Sequence, residues 1–189
     1  MNKNHKKFSN RNKILKFLLL SPFLLSIPLF NNTEVRAALE FQWDQESGYR
    51  KLKWFQKNNL NKARNTIFFF LRPNDRKESL LKITLKIPKT FKTTIKEKKI
   101  SFCKVRIGGY ESRTKCIDDI PADIELNEDN TSLDIFPYSP IPKNKDSYAI
   151  VIKAFNPRRT GLYQFHSYGQ YFGKDSISSY LGSATIVID

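Results

Sequence analysis

Beyond residue 37 the chain keeps a single histidine, His166. With Ser167 beside it and Asp175 further on, a nucleophile, a base and an orienting acid can be written down. No Gly-x-Ser-x-Gly or His-Glu-x-x-His frame surrounds them. A solvated strand histidine is therefore the simpler reading, and a hydrolase using His166 is the alternative. Neither a phosphate loop nor a dinucleotide fingerprint is present.

Two cysteines, Cys103 and Cys116, flank a Gly108-Gly109 turn. If residues 108–111 form a four-residue hairpin loop, Ile107 faces Ser112 and Cys103 falls opposite Cys116, where side chains are close. A redox pair or a metal site would want CxxC spacing or a neighbouring histidine. The pair is read as a structural disulfide, worth about 3 kcal/mol by the loop-entropy argument. The acids Asp118, Asp119, Asp123 and Glu125 offer hard oxygens suited to calcium, but without the spacing of a calcium loop. They read as a solvated loop, and no cofactor or metal is expected.

Cations are the richer surface feature. Lys82, Lys86, Lys89, Lys92, Lys96, Lys98 and Lys99 crowd one short stretch. Arg158 and Arg159 sit on the turn at 156–161, which Pro157 stiffens and Gly161 closes. A lysine-rich face can attract anionic lipid headgroups, acidic glycans or an acidic envelope protein; it can equally blunt an edge strand. A second candidate is the loop at 168–172, where Tyr168, Tyr171 and Phe172 either dock a partner or cap the core.

These side chains need strands to position them. Strand alternation recurs along the chain and no helical stripe competes with it. Residues 39–43 alternate and open the domain; 49–55 form an edge strand or a loop with a buried Trp54. The polar stretch at 56–65 is a connection, and 66–71 is an apolar run suited to a strand covered on both faces. Leu81, Ile83, Leu85 and Ile87 share one face; Lys82, Thr84 and Lys86 share the other. Pro88 ends that run, while 89–95 and 100–107 continue in strand style. Residues 133–136 lead into three prolines, Pro137, Pro140 and Pro142, that force an extended crossing. Residues 147–155 are strongly apolar, with Val151 and Phe155 on one face. Tyr163 and Phe165 share a core face, and the Tyr163 hydroxyl is placed to bond backbone at a strand corner. Short strands separated by turns predict an all-β fold, a single antiparallel β-sandwich of immunoglobulin-like or Greek-key type. The long connections near Gln56 and Pro137 favour Greek-key crossings.

The first 37 residues read as a signal peptide outside the fold. Six Lys or Arg lead a 14-residue apolar segment at 17–30, interrupted by Pro22 and Pro28, and Val35-Arg36-Ala37 fits a peptidase site. A spanning helix wants about 20 apolar residues. Residues 38–189 then make one domain, of a length that buries roughly 70% of its unfolded surface. Residues 1–37 hold seven Lys or Arg and one acid, so of the formal +15 about +9 remains. The expected product is exported, to the periplasm or cell envelope, where a disulfide persists. An exported chain seldom meets nucleic acid, so none is expected as partner. No transmembrane segment is expected in the mature chain.

Particular words of the C-terminal half carry a likeness. They are Phe136-Pro137 with Pro140-Ile141-Pro142, Asn156-Pro157-Arg158, Gly161-Leu162-Tyr163-Gln164-Phe165, and Tyr180-Leu181-Gly182. The chain resembles an exported cyanobacterial family known as domain of unknown function 2808. The resemblance covers the C-terminal half well and the N-terminal half loosely. It implies a small secreted β domain, with the thylakoid lumen as a further possible compartment, and supplies no catalytic residue or ligand. The cysteines and the lysine content are not part of the family pattern. Together the residues favour a non-enzymatic binding or scaffolding sandwich that meets an anionic partner.

Overall fold

From Tyr163 to Tyr171 every second residue is buried: Tyr163, Phe165, Ser167, Gly169 and Tyr171 face inward. Gln164, His166, Tyr168 and Gln170 keep partial exposure, as period two requires of a strand with one covered face. The computed structural model describes residues 48–173 and 177–189. The leader at 1–37, the strand expected at 39–43 and Asp175 lie outside the described residues.

Ten strands are described: β1 (Trp54–Gln56), β2 (Arg64–Leu71), β3 (Leu80–Lys86), β4 (Ile100–Arg106), β5 (Lys115–Asp119), β6 (Ala122–Leu126), β7 (Ser132–Pro137), β8 (Tyr148–Phe155), β9 (Gly161–Tyr171) and β10 (Ser179–Ile188). They form two five-stranded sheets, ordered β1-β2-β8-β4-β5 and β10-β9-β3-β7-β6. Every strand pairing is antiparallel. The connections β2–β3, β3–β4, β5–β6, β7–β8 and β8–β9 change sheet. The crossing expected near the prolines is thus the β7–β8 connection. The one expected near Gln56 is instead a hairpin loop, because β1 pairs directly with β2.

The sheets enclose one apolar core. Ile67, Phe69 and Leu71 of β2 and Ile150 and Ile152 of β8 meet Ile83 and Leu85 of β3 and Phe165 of β9. The Phe69 and Phe165 ring centres are 4.8 Å apart, and Phe91 stands edge-on to Tyr163 and to Phe165 at 5.2 Å each, a geometry that adds about 0.5–1.5 kcal/mol per pair beyond area burial.

Several local expectations are corrected. Residues 89–95 are not a strand. After Pro88 the chain turns, with Phe91 N–H donating to Pro88 O (2.8 Å), and it drops Phe91 and Ile95 into the core. Leu81 does not join the buried face. A β-bulge between Leu80 and Lys82 turns Leu80 inward instead, with no exposed surface. The acidic stretch is not a loop but the ends of two edge strands, β5 and β6. The aromatic segment is also strand up to Tyr171, and Tyr171 is 4% exposed; it is a core residue and not a partner-binding one. Trp54 is half-buried, while its neighbour Leu52 is fully buried.

Cys103 and Cys116 are bonded, with Cα atoms 5.7 Å apart. The register differs from the simple hairpin: Cys103 pairs with Asp119 and Val105 with Cys116, with a shift between Lys104 and Val105. The turn is correspondingly longer and holds itself through Gly109 N–H to Ser112 O (3.0 Å) and Gly108 N–H to Thr114 Oγ1 (2.9 Å).

Candidate functional site

The outer face of the β1–β5 sheet changes character along its length. On β2 the outward residues are Arg64, Thr66, Phe68 and Phe70; on β8 they are Phe155, Lys153, Val151 and Ala149, in register with them. At one end Phe68, Phe70, Ala149, Val151, Cys103 and Val105 form a second buried cluster, with Ile107 and Cys116 packed on it. The disulfide-closed turn is thus a strap over apolar sheet surface. At the other end the face is open and cationic.

There Arg64 and Lys153 rise from the sheet beside Lys96 and Lys99, which the β3–β4 connection supplies. The four cations line a groove of about 440 Å³ with Thr66 and Phe155, and no carboxylate lines it. None of the four makes an ion pair among the described residues. Glu97, between the two lysines, is turned away: its Oε1 accepts from Leu126 N–H at 3.0 Å, on the edge of the other sheet. Thr93 Oγ1 donates to Phe155 O (2.7 Å) and ties the connection to the end of β8. Like charges gathered in one groove repel one another. An anion in the groove converts that repulsion into attraction. Arg64 lies over the Phe155 ring at 5.6 Å, and Phe155 stays 53% exposed.

The groove is fixed from below by two buried asparagines. Asn65 Oδ1 accepts from Lys57 N–H (3.1 Å) and Asn58 N–H (3.0 Å), and its Nδ2 donates to Asn156 Oδ1 (2.9 Å). Asn156 Nδ2 in turn donates to Asn58 O (3.1 Å) and Leu60 O (2.8 Å). One side-chain chain thereby locks the β1–β2 loop to the β8–β9 turn.

The cations expected to form one lysine face are divided between opposite faces of the sandwich. Lys96 and Lys99 enter the groove; Lys92 and Lys98 are exposed on the same connection without lining it. Lys82 and Lys86 stand on the outer face of the other sheet, where Lys82 has a counter-charge and Lys86 a neutral hydrogen-bond partner. Lys82 pairs with Asp134 (3.0 Å) over the Phe136 ring, and Lys86 donates to Ser132 Oγ (2.9 Å). Tyr168 is half-buried on that same face, its ring 5.6 Å from Tyr180. Phe172 is exposed just past β9. Arg158 and Arg159 are exposed on the β8–β9 turn but do not line the groove; Arg159 O accepts the Tyr163 hydroxyl at 2.7 Å, the expected corner bond.

Arg64, Lys153 and Phe155 as groove partners were missed in the sequence. Their shared parity on two strands was a usable signal, since Lys153 alternates with Val151 and Phe155. Nothing local announces that β2 lies against β8.

His166 and Ser167 point to opposite faces, as strand neighbours must, so they cannot act together. His166 Nδ1 lies 2.5 Å from Ser183 Oγ, which also meets Tyr180 OH at 2.5 Å. Ser183 has no exposed surface and is closed to an incoming substrate. The one potential metal cluster among the described residues combines Asp119 with both cystine sulfurs, which are spent in their mutual bond. Away from the groove, Lys104 is held above its usual range by its hydrogen bond to Asp146. Burial lowers Arg76, which bonds Leu71 O, Asn144 and Asp146 O and stacks on Tyr148 at 4.7 Å. No described helix is long and apolar enough to cross a membrane.

A family profile described as "Protein of unknown function (DUF2808)" matches residues 41–188. The chain belongs to that family. Its fold accounts for words that the DUF2808 likeness rested on. Asn156 of Asn-Pro-Arg is the buried node just described. Gly182 of Leu-Gly has φ +147°, and a Cβ there would meet Arg50 O at 2.6 Å, where residues 50–52 close over the edge of β10. No protein of curated function matches this DUF2808 chain in sequence.

Among solved structures, the collagen-binding domain of a Staphylococcus aureus adhesin is 13% identical, with TM-score 0.39 over 71% of this chain and 95% of that one. BslA, a bacterial hydrophobin, is 13% identical with TM-score 0.45 over 74% and 97%. The collagen-binding subdomain of the Enterococcus faecalis surface protein ACE is 10% identical with TM-score 0.42 over 74% and 97%. Likenesses of this size leave function to the chain's own residues.

Proposed function

We propose that this DUF2808 protein is an exported, non-enzymatic binding domain that holds an anionic partner in the groove of Arg64, Lys96, Lys99 and Lys153. The observation that carries the reading is the charge of that groove: four cations without a lining carboxylate, whereas on the opposite face Lys82 has Asp134 as its counter-charge. Charge that a fold leaves unmatched in a concavity attracts counter-charge.

Export rests on the leader at 1–37, cleaved after Ala37, and on the disulfide, which persists in an oxidising compartment. Residues 38–189 are then the mature immunoglobulin-like or Greek-key domain, in the periplasm, cell envelope or thylakoid lumen. The mass of the mature protein and fractionation of periplasm from lumen test this part; a mature chain still beginning at Met1 overturns it. For the groove, charge reversal at Lys96 and Lys99 should abolish capture of acidic partners from envelope extract. Undiminished capture by that variant overturns the assignment.

A further inference from the structure

A second concavity lies on the same outer face. Phe55 and Lys57 of the β1 end face Gly108, Gly109 and Arg113 of the strap across a groove of about 580 Å³. It too has no lining carboxylate. Lys57 N–H donates to Thr66 O (3.1 Å), and Thr66 lines the first groove, so the two linings hold neighbouring residues across the β1–β2 boundary. Phe55 pairs with Phe68 and Phe155 with Arg64. The two exposed rings are therefore separated by about 13 Å along β2, at ~3.3 Å per residue.

We propose that the two grooves form one channel for an extended acidic polysaccharide, its carboxylates meeting Lys57 and Arg113 at one end and Arg64, Lys96, Lys99 and Lys153 at the other. This rests on the reading of the first groove as an anion site. Three features favour a glycan chain. The cations are set in concavities, which a flat bilayer surface reaches poorly. They are interleaved with hydroxyl groups of Thr66 and Thr94 and with accessible backbone at Gly109. Phe55 (39% exposed) and Phe155 (53%) offer ring surface on which sugar rings pack. The strap, anchored by Cys103–Cys116, supplies the second wall, which makes the cystine part of the binding surface.

The test uses the mature protein and size-defined oligogalacturonates, titrated calorimetrically, with methyl-esterified oligomers as the neutral control. Long oligomers should bind at least tenfold more tightly than short ones and with a steeper loss on raising salt. The variant Lys57→Gln, Arg113→Gln should reduce the long oligomer to the short one's affinity and leave the short one unchanged. Both positions are exposed, and an unaltered thermal melt checks that the variant folds. Equal affinity for long and short oligomers, or a silent double variant, overturns the channel while leaving the first groove standing. Absence of binding by any oligogalacturonate, with capture of phosphatidylglycerol vesicles instead, overturns the channel in favour of a membrane surface. Loss of short-oligomer binding in Arg64→Gln, Lys153→Gln tests the underlying anion site separately.

Discussion

Arg64 and Phe155 are register partners on β2 and β8, and the guanidinium lies 5.6 Å from the ring centre. An exposed cation–π contact is worth about 0.5–1 kcal/mol, too little for the fold to depend on it. Arg64→Gln and Phe155→Ala should each lower stability by no more than about 1 kcal/mol while weakening acidic-ligand binding severalfold. A denaturant melt beside a binding isotherm separates the two effects. A large stability loss would make the pair structural.

Asn156 is the opposite case. It is 3% exposed and bonded to Asn65, Asn58 and Leu60. Asn156→Ala orphans the buried Asn65 amide and removes the tie to the Asn58 and Leu60 carbonyls, and should cost about 2–3 kcal/mol. Urea unfolding measures it, and the denaturant slope should stay unchanged.

The strap covers Phe68 and Phe70, which are 4% and 1% exposed. Replacing both cysteines by serine should remove about 3 kcal/mol and raise binding of a hydrophobic dye before global unfolding. A variant that melts earlier without extra dye binding would show that the strap stays seated without its bond.

On the alkaline side, two groups act in the same direction. The hydrogen bond to Asp146 raises Lys104, and the bond to Asp123 raises Tyr138. Each folded value lies above its unfolded one, near 10.4 and 10. The stabilisation is complete below those values and is lost as pH climbs through the folded ones. The melting temperature should fall from about pH 10 upward, and less steeply in Lys104→Met, Tyr138→Phe.

The legible part of the fold was the part written in local periodicity. Tyr163 and Phe165 turned inward, the corner bond of Tyr163 formed, and Cys103 met Cys116. Local reading failed where a tertiary neighbour reset it. The bulge at Leu80 exchanged one leucine for the next, and Pro88 was followed by a core-filling turn instead of another strand. Asn156 looked like a turn residue, yet its partners lie far back in the chain at 58–65. The groove was half legible. Lys96 and Lys99 stood out by density, but Arg64 and Lys153 join them only because β2 pairs with β8, and no feature of either strand alone encodes that pairing. Density alone also misled, since it grouped Lys82 and Lys86 with residues on the far side of the sandwich.

The most direct test of the cationic groove is calorimetric titration with a short oligogalacturonate, comparing the native protein with Arg64→Gln, Lys153→Gln at low and moderate salt. The account predicts saturable binding by the native protein, weakened by salt and lost in the variant, with an unchanged melt. Equal binding by both proteins, or binding that ignores salt, would contradict it.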